Sequence, residues 1–267
     1  MWGKSGKLNL WDLMNHVRLS ELQGDRASGV PVFAGLERAT AWRGLEYLEL
    51  PPAAQLCPLA QPDCEVGYLV LEGEVECAGE ELAIEAESPA ALLCGVGWPH
   101  TLKNAGEGLA RLLCVAVALD ASTPEPRALL VEEIAGGKLE WRPAIHGGAG
   151  QIATCHIWGP EDFKSPWVFL DHAVLAPRSS VGYHFHDALE ESFVVRRGAG
   201  YMTIADQTFA VGPGSVTWQG IGQGHGIYNP GDQDLEFLRI AVGIRGEPFT
   251  TVDLNDDLSN RKPSTAQ

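Results

Sequence analysis

From Trp42 onward the chain alternates short apolar runs with clusters of glycine, proline and acidic residues. LEYLEL, GYLVLEG, AALLCG and ARLLCVAVAL come first, then VFLDHAVL, ESFVVRR, YMTI, SVTW and EFLRIAVG. Short runs rich in Val, Leu, Ile and Phe and closed by turn formers read as strands, not helices. Strands at this spacing predict an all-β chain of antiparallel barrels or jelly rolls.

The pattern runs twice. At a constant offset of 125 residues, Trp42 matches Trp167, Leu45 Leu170, Leu50 Leu175, Pro52 Pro177 and Glu65 Glu190. The same offset matches Val70 with Val195, Gly73 with Gly198, Gly95 with Gly220, Gly97 with Gly222, His100 with His225 and Asn104 with Asn229. Chance would not concentrate matches on turn glycines and a histidine, so two β-barrel domains in tandem are expected. The boundaries read as an N-terminal arm at 1–41, a first barrel at 42–120, a linker at 121–140, a second barrel at 141–250 and a flexible polar tail at 251–267. Within the arm, Leu10, Leu13, Met14 and Val17 recur at helical spacing after Asn9. In the linker, Arg127 to Ile134 suggests a second short helix.

The chemistry lies in the second copy. His184 and His186 stand two apart, so on a strand both imidazoles share one face. Glu191 lies at odd offsets from both, so Asp187-Ala188-Leu189 must bend the chain to bring it to the same side. His225 follows a turn containing Gly220, Gly222 and Gly224 and opens another apolar run. Three imidazoles and a carboxylate from separate strands form a ligand set for a divalent transition metal. Glu190 is the rival carboxylate, and the spacing to Gly198 favours Glu191. Opposite the ligands, the first copy carries Leu59, Gln61 and Val66, with only His100 retained. A single imidazole does not hold a metal, so the first barrel is expected to be an empty scaffold, with His100 a turn histidine bonded to backbone. His16, His146, His156 and His172 take the same structural role by default, His172 with a claim to the cavity because of its strand.

These stretches resemble the two signature motifs of the cupin superfamily. His184-x-His186, four residues, Glu191, six residues and Gly198 follow the first motif, although Arg178 stands where its opening glycine belongs. Gly214, Gly222, His225 and Asn229 follow the second, with Gly220 in place of its proline. The resemblance implies a bicupin whose N-terminal barrel is degenerate and whose C-terminal barrel carries the site, with chemistry inside the barrel and reached from one mouth. Cupins include dioxygenases, decarboxylases, isomerases and epimerases beside storage and sensor proteins; the four intact ligands disfavour the metal-free epimerases. The first reading is therefore a metal-dependent oxidoreductase, an Fe(II)-dependent dioxygenase holding one divalent metal per chain. Mn(II), Ni(II), Cu(II) and Zn(II) accept the same donors. The alternatives are a metal-assisted isomerase or decarboxylase and, from another class, a non-catalytic small-molecule binding or sensing protein. By strand phase Phe193 and Ile227 line the cavity, and Tyr201, Trp218, Gln223 and His172 are further candidates for touching substrate.

Charge narrows the partners. The formal net charge of −16 repels phosphate backbones and anionic lipid, which argues against nucleic-acid and membrane roles. A divalent metal with one carboxylate keeps positive charge, so a small anionic substrate is favoured; Arg178, Arg196 and Arg197 could help to attract it. The six cysteines form no CxxC pair and are expected to be free core thiols in a cytoplasmic protein, either a monomer or a homodimer.

Overall fold

The computed structural model describes residues 15–56, 63–119, 129–134 and 138–263. Its antiparallel strands form four sheets, paired as two barrels. In the first barrel a six-stranded sheet runs in the order Leu129–Glu133, Ala90–Cys94, Cys64–Glu72, Ala110–Ala118, Trp42–Leu50 and Val30–Pro31. It faces a four-stranded sheet of Gln55–Leu56, Thr101–Asn104, Glu74–Ala78 and Ala83–Glu87. The second barrel repeats the plan. Its seven-stranded sheet is ordered His16–Arg18, Ser215–Gln219, Leu189–Arg197, Leu235–Gly243, Trp167–Leu175, Gln151–Trp158 and Glu140–Pro143. The facing sheet has five strands, Gln207–Val211, Gly200–Ile204, His225–Tyr228, Ser180–His186 and Thr251–Asp253.

Each barrel has its own core, with Leu50, Val66, Tyr68, Leu92 and Leu112 in the first and Val181, Phe193, Met202, Ile227 and Phe237 in the second. A third apolar cluster joins the outer faces of the two larger sheets, including Trp42, Leu45, Leu69 and Val115 with Trp167, Leu170, Trp218 and Ile240. Burial on both faces explains why these strands read as unbroken apolar runs. Gly67, inside the strand Cys64–Glu72, leaves room for the partner barrel's indole: a Cβ there would stand 2.6 Å from Cη2 of Trp167.

The repeat extends to single hydrogen bonds. Asn104 Nδ2 donates to Leu50 O and Gly108 O, and Asn229 Nδ2 donates to Leu175 O and Gln233 O. Backbone in the left-handed region recurs at Ala53 and Arg178, with φ of 62° and 59°. Arg178, where the resemblance calls for glycine, thus keeps the glycine conformation without the glycine. Two buried carboxylates hold the barrels to each other. Glu190 of the second accepts Ala39 N, Thr40 N and Thr40 Oγ1 from the segment that leads into the first. Reciprocally, Glu65 accepts Lys164 N and Ser165 N from the segment that leads into the second.

Several expectations change. Leu129–Glu133 is a strand paired with Ala90–Cys94, not part of a helix, because its alternating residues complete the first barrel's larger sheet. Val17 lies in a strand, where it pairs with Val216 of the second barrel; Leu10, Leu13 and Met14 lie outside the described residues. The polar stretch from 251 is not loose as far as residue 263: Thr251–Asp253 pairs with Ser180–His186, Leu258 is buried, and Arg261 stacks over Tyr183. Among the described residues no helix is long and apolar enough to cross a membrane.

Gly67→Ala inserts a methyl into the inter-barrel contact and is expected to cost about 1–3 kcal/mol. Urea unfolding followed by tryptophan fluorescence reads this as a lower midpoint at an unchanged slope.

Candidate metal centre

His184 and His186 lie on the strand Ser180–His186 of the smaller sheet, Glu191 on Leu189–Arg197 of the larger, and His225 at the start of His225–Tyr228. The bend read from Asp187-Ala188-Leu189 is the crossing from one sheet to the other, fixed where Asp187 Oδ1 accepts Thr250 N at 2.6 Å. The crossing resets the phase, and the carboxylate enters the barrel beside the imidazoles. One ligand atom from each of the four residues lies within 4.8 Å of every other, and all four side chains are buried. Bonds of about 2.1 Å to one ion would set neighbouring donors about 3 Å apart and opposite donors about 4.2 Å apart, which this spread accommodates.

The protons show what the cluster lacks. His184 Nδ1 donates to Gly182 O at 2.8 Å, and His225 Nδ1 donates to Gln223 O at 2.9 Å. Both Nε2 atoms are thereby left as lone pairs facing the barrel centre. His184 Nε2 is buried without a hydrogen-bond partner, and His225 Nε2 meets Glu191 Oε2 at 3.0 Å. Two acceptors at that distance need a cation between them, a proton or a metal ion. His186 Nε2 lies 3.4 Å from the same oxygen, and its Nδ1 is held by Thr251 Oγ1 at 2.9 Å. The donors therefore fit a divalent ion, and Thr251, from the stretch expected to be a tail, helps to aim one of them.

Electrostatics keep the donors in the ligating state. Burial, with His225 and His146 nearby, pushes His184 down to about 2, so it stays neutral. Burial works to raise Glu191, but the close contacts with His186 and His225 and the Arg239 guanidinium outweigh it and hold the carboxyl well below its usual range. Arg239 Nη1 lies 3.7 Å from Glu191 Oε1, and Arg239 also pairs with Asp171, which is bonded to His156 at the surface. A buried chain thus runs from His156 through Asp171 and Arg239 to Glu191. The sequence shows Asp171 and Arg239 only as charged residues within the apolar runs VFLDHAVL and EFLRIAVG, without saying which face they take.

His146 also belongs here, although a structural role was expected for it. Its ring stacks on His184 with centroids 4.0 Å apart, and its Nδ1 lies 3.1 Å from Asp253 Oδ1. The turn that carries it presses on Gly182, where a Cβ would stand 1.8 Å from His146 O. Gly182 therefore has its own steric reason, independent of any motif. The partly exposed ring of Phe249 meets His186 edge-on at 5.8 Å. Among the other candidates, Phe193 and Ile227 lie in the barrel interior, with Phe193 edge-on to His225 at 6.1 Å.

The remaining candidates stand elsewhere. Trp218 packs between the barrels, 4.4 Å from Trp42, because its phase on Ser215–Gln219 turns it outward. His172 also faces out, bonded to Glu236 at 3.0 Å. Tyr201 alternates with the core residue Met202 and so lies on the outer face. The Gln223 side chain accepts Asn15 Nδ2 and Gly220 N, and only its backbone carbonyl serves the site. Arg178 pairs with Asp232, and Arg196 and Arg197 pair with Glu236, so none reaches the ligands.

Comparisons with known proteins agree with this picture. Residues 171–241 match the family model "Cupin domain". The oxalate-binding protein of Thermotoga maritima is 29% identical over 98 residues, covering 37% of this chain and 81% of that protein. A deletion mutant of Bacillus subtilis oxalate decarboxylase superposes with a TM-score of 0.63 at 15% identity, covering 93% of this chain and 81% of the other. AerE of Microcystis aeruginosa superposes with a TM-score of 0.59 at 14% identity, over 81% and 97% of the two chains. At such identities the structural likeness is one of fold.

In metal-free protein the His184 shift has a sign. The unfolded imidazole binds its proton near 6.5 and the folded one only near 2. Stability is therefore present above about pH 6.5 and is lost as pH falls from there, by up to about 1.4 kcal/mol per pH unit for this one proton. Glu191 adds a further loss at lower pH, below its ordinary value of 4.5. Urea midpoints measured between about pH 7.5 and 5 should fall for wild type and fall less steeply for His184→Gln, with His16, His100 and His146 supplying the remaining slope.

Proposed function

We propose that this chain, which belongs to the cupin superfamily and carries two cupin barrels, is a cytoplasmic metal-dependent decarboxylase of small dicarboxylates of the oxalate class. His184, His186, Glu191 and His225 would hold the ion, and the bound ion would supply Lewis-acid polarisation of the chelated carboxylate. The observation that carries the reading is the charge of the site. Arg239 is balanced by Asp171, so a divalent ion with the single carboxylate Glu191 keeps a net positive charge inside an apolar barrel. A small chelating dianion neutralises that charge and displaces water, whereas a neutral phenol or sugar leaves it standing. The Thermotoga relative, named for binding oxalate, supports the substrate class.

Decarboxylation of hydrogen oxalate breaks the carbon–carbon bond, releases carbon dioxide and leaves the electron pair on the carbon that takes a proton to become formate. His146, held by Asp253 beside His184, is placed to orient the free carboxylate at the mouth. Phe193, Ile227 and Phe249 keep bulk water from the reacting carbon. Mn(II) is the metal to try first, because the fold relative from Bacillus subtilis is described with Mn(II) centres. The dioxygenase reading rests on open metal positions alone, and none of the relatives named above is described as one. A second reading has one: the curated relative is called a binding protein, so tight oxalate binding without turnover is the rival outcome.

Mn(II)-loaded protein is expected to convert oxalate to formate and carbon dioxide in equal amounts with no net uptake of O₂. His186→Ala should abolish this while the far-ultraviolet circular dichroism is retained, since two packed cores and not the ion hold the fold. O₂ consumed in step with product would replace the reading with a dioxygenase, and saturable oxalate binding without products would replace it with a binding protein.

A further inference from the structure

The first barrel has lost the ligands found in the second, yet its interior is not inert. Cys77 Sγ, Cys94 Sγ and a ring nitrogen of His100 all lie within 4.8 Å of one another, and all three residues are buried. At the repeat offset they stand where Met202, Gln219 and His225 stand in the second barrel. His100 is thus the counterpart of a proposed metal ligand, and the thiols arrive on two strands that contribute no ligand in the other copy. No CxxC spacing announces them, because Glu74–Ala78 and Ala90–Cys94 meet only in three dimensions.

Three features suit the cluster to a metal. His100 Nδ1 donates to Trp98 O at 2.8 Å, the same device that aims His225, so Nε2 turns inward as a lone pair and meets the Tyr68 hydroxyl at 2.8 Å. The two sulfurs are 3.8 Å apart. Metal–sulfur bonds of about 2.3 Å in a tetrahedron give a sulfur–sulfur edge of about 3.8 Å. Charge also closes. Two thiolates neutralise a divalent ion, and imidazole and phenol are neutral, so the filled site buries no net charge in an apolar core. This is the reverse of the second barrel, where the balance stays positive.

We infer that the first barrel binds a thiophilic metal ion, Zn(II) in the first instance, through Cys77 Sγ, Cys94 Sγ and His100 Nε2, with the Tyr68 hydroxyl beside the fourth position. Each thiol releases its proton to solvent on binding, and the hydroxyl gives up its bond to Nε2. The site is closed and neutral, so it is structural and takes no part in turnover. An S–H···S contact between two metal-free thiols is the competing account of the same geometry.

Co(II) separates the two, because a thiolate ligand gives a charge-transfer absorption that an imidazole and carboxylate set cannot give. Reduced, metal-free wild type titrated with Co(II) is expected to bind two ions per chain by equilibrium dialysis, one of them with thiolate charge transfer that added Zn(II) abolishes. His184→Ala/His186→Ala should bind one ion and keep that absorption. Cys77→Ser/Cys94→Ser should bind one ion and lose it. Folded wild type that shows no thiolate absorption overturns the inference whatever the double variants do. So does absorption that survives loss of both cysteines.

Discussion

Successive side chains of a strand point to opposite faces, and at Glu190 and Glu191 this alternation ties the molecule together. With Glu191 turned into the barrel among the imidazoles, Glu190 must leave it, and it docks the backbone of Ala39 and Thr40. A slip of one residue in Leu189–Arg197 would exchange the two, removing the carboxylate from the imidazole cluster and the acceptor from the barrel interface together. The first barrel keeps the outward half of the device in Glu65 and has replaced the inward half with Val66. Both copies therefore carry the docking carboxylate, and among the described residues only the second has a carboxylate turned into the barrel.

The interiors of the two barrels differ more than their folds. In the second, Asp171, Arg239 and Glu191 form a buried ionic chain that fixes the carboxylate and reaches the surface at His156. At the repeat offset the first barrel has Glu46, Cys114 and Val66 in those places. Among the described residues its interior has no guanidinium and instead gathers thiols and one phenol around His100. One scaffold thus carries an ion-paired interior in one barrel and a thiol-lined one in the other.

The repeat, the strands and the four clustered residues could be read from the chain because each depends on local spacing: turn glycines, a period of two and the distances from His184 to Glu191 and from Gly214 to His225. What could not be read depends on faces and on distant pairing. Trp218 and His172 lie on strands whose two faces are both buried, and an unbroken apolar run does not say which face meets the barrel interior. Thr251 and Asp253 look like the start of a polar tail until they pair with the strand of His184 and His186. His146 has no motif at all, and the close approach of its turn to Gly182 brings it to the site. Cys77, Cys94 and His100 likewise meet only once the first barrel closes.

The strand His16–Arg18 pairs with Ser215–Gln219, and its neighbour Asn15 reaches Gln223. A segment made ahead of the first barrel thus finds its partner only after most of the second barrel has emerged. Until then the first barrel can close, but the strand His16–Arg18 stays single and the backbone of Ala39 and Thr40 lacks Glu190. The pairing makes completion of the second barrel the event that ties down the strand His16–Arg18, so a product released early would carry an unmatched strand open to another chain's sheet edge.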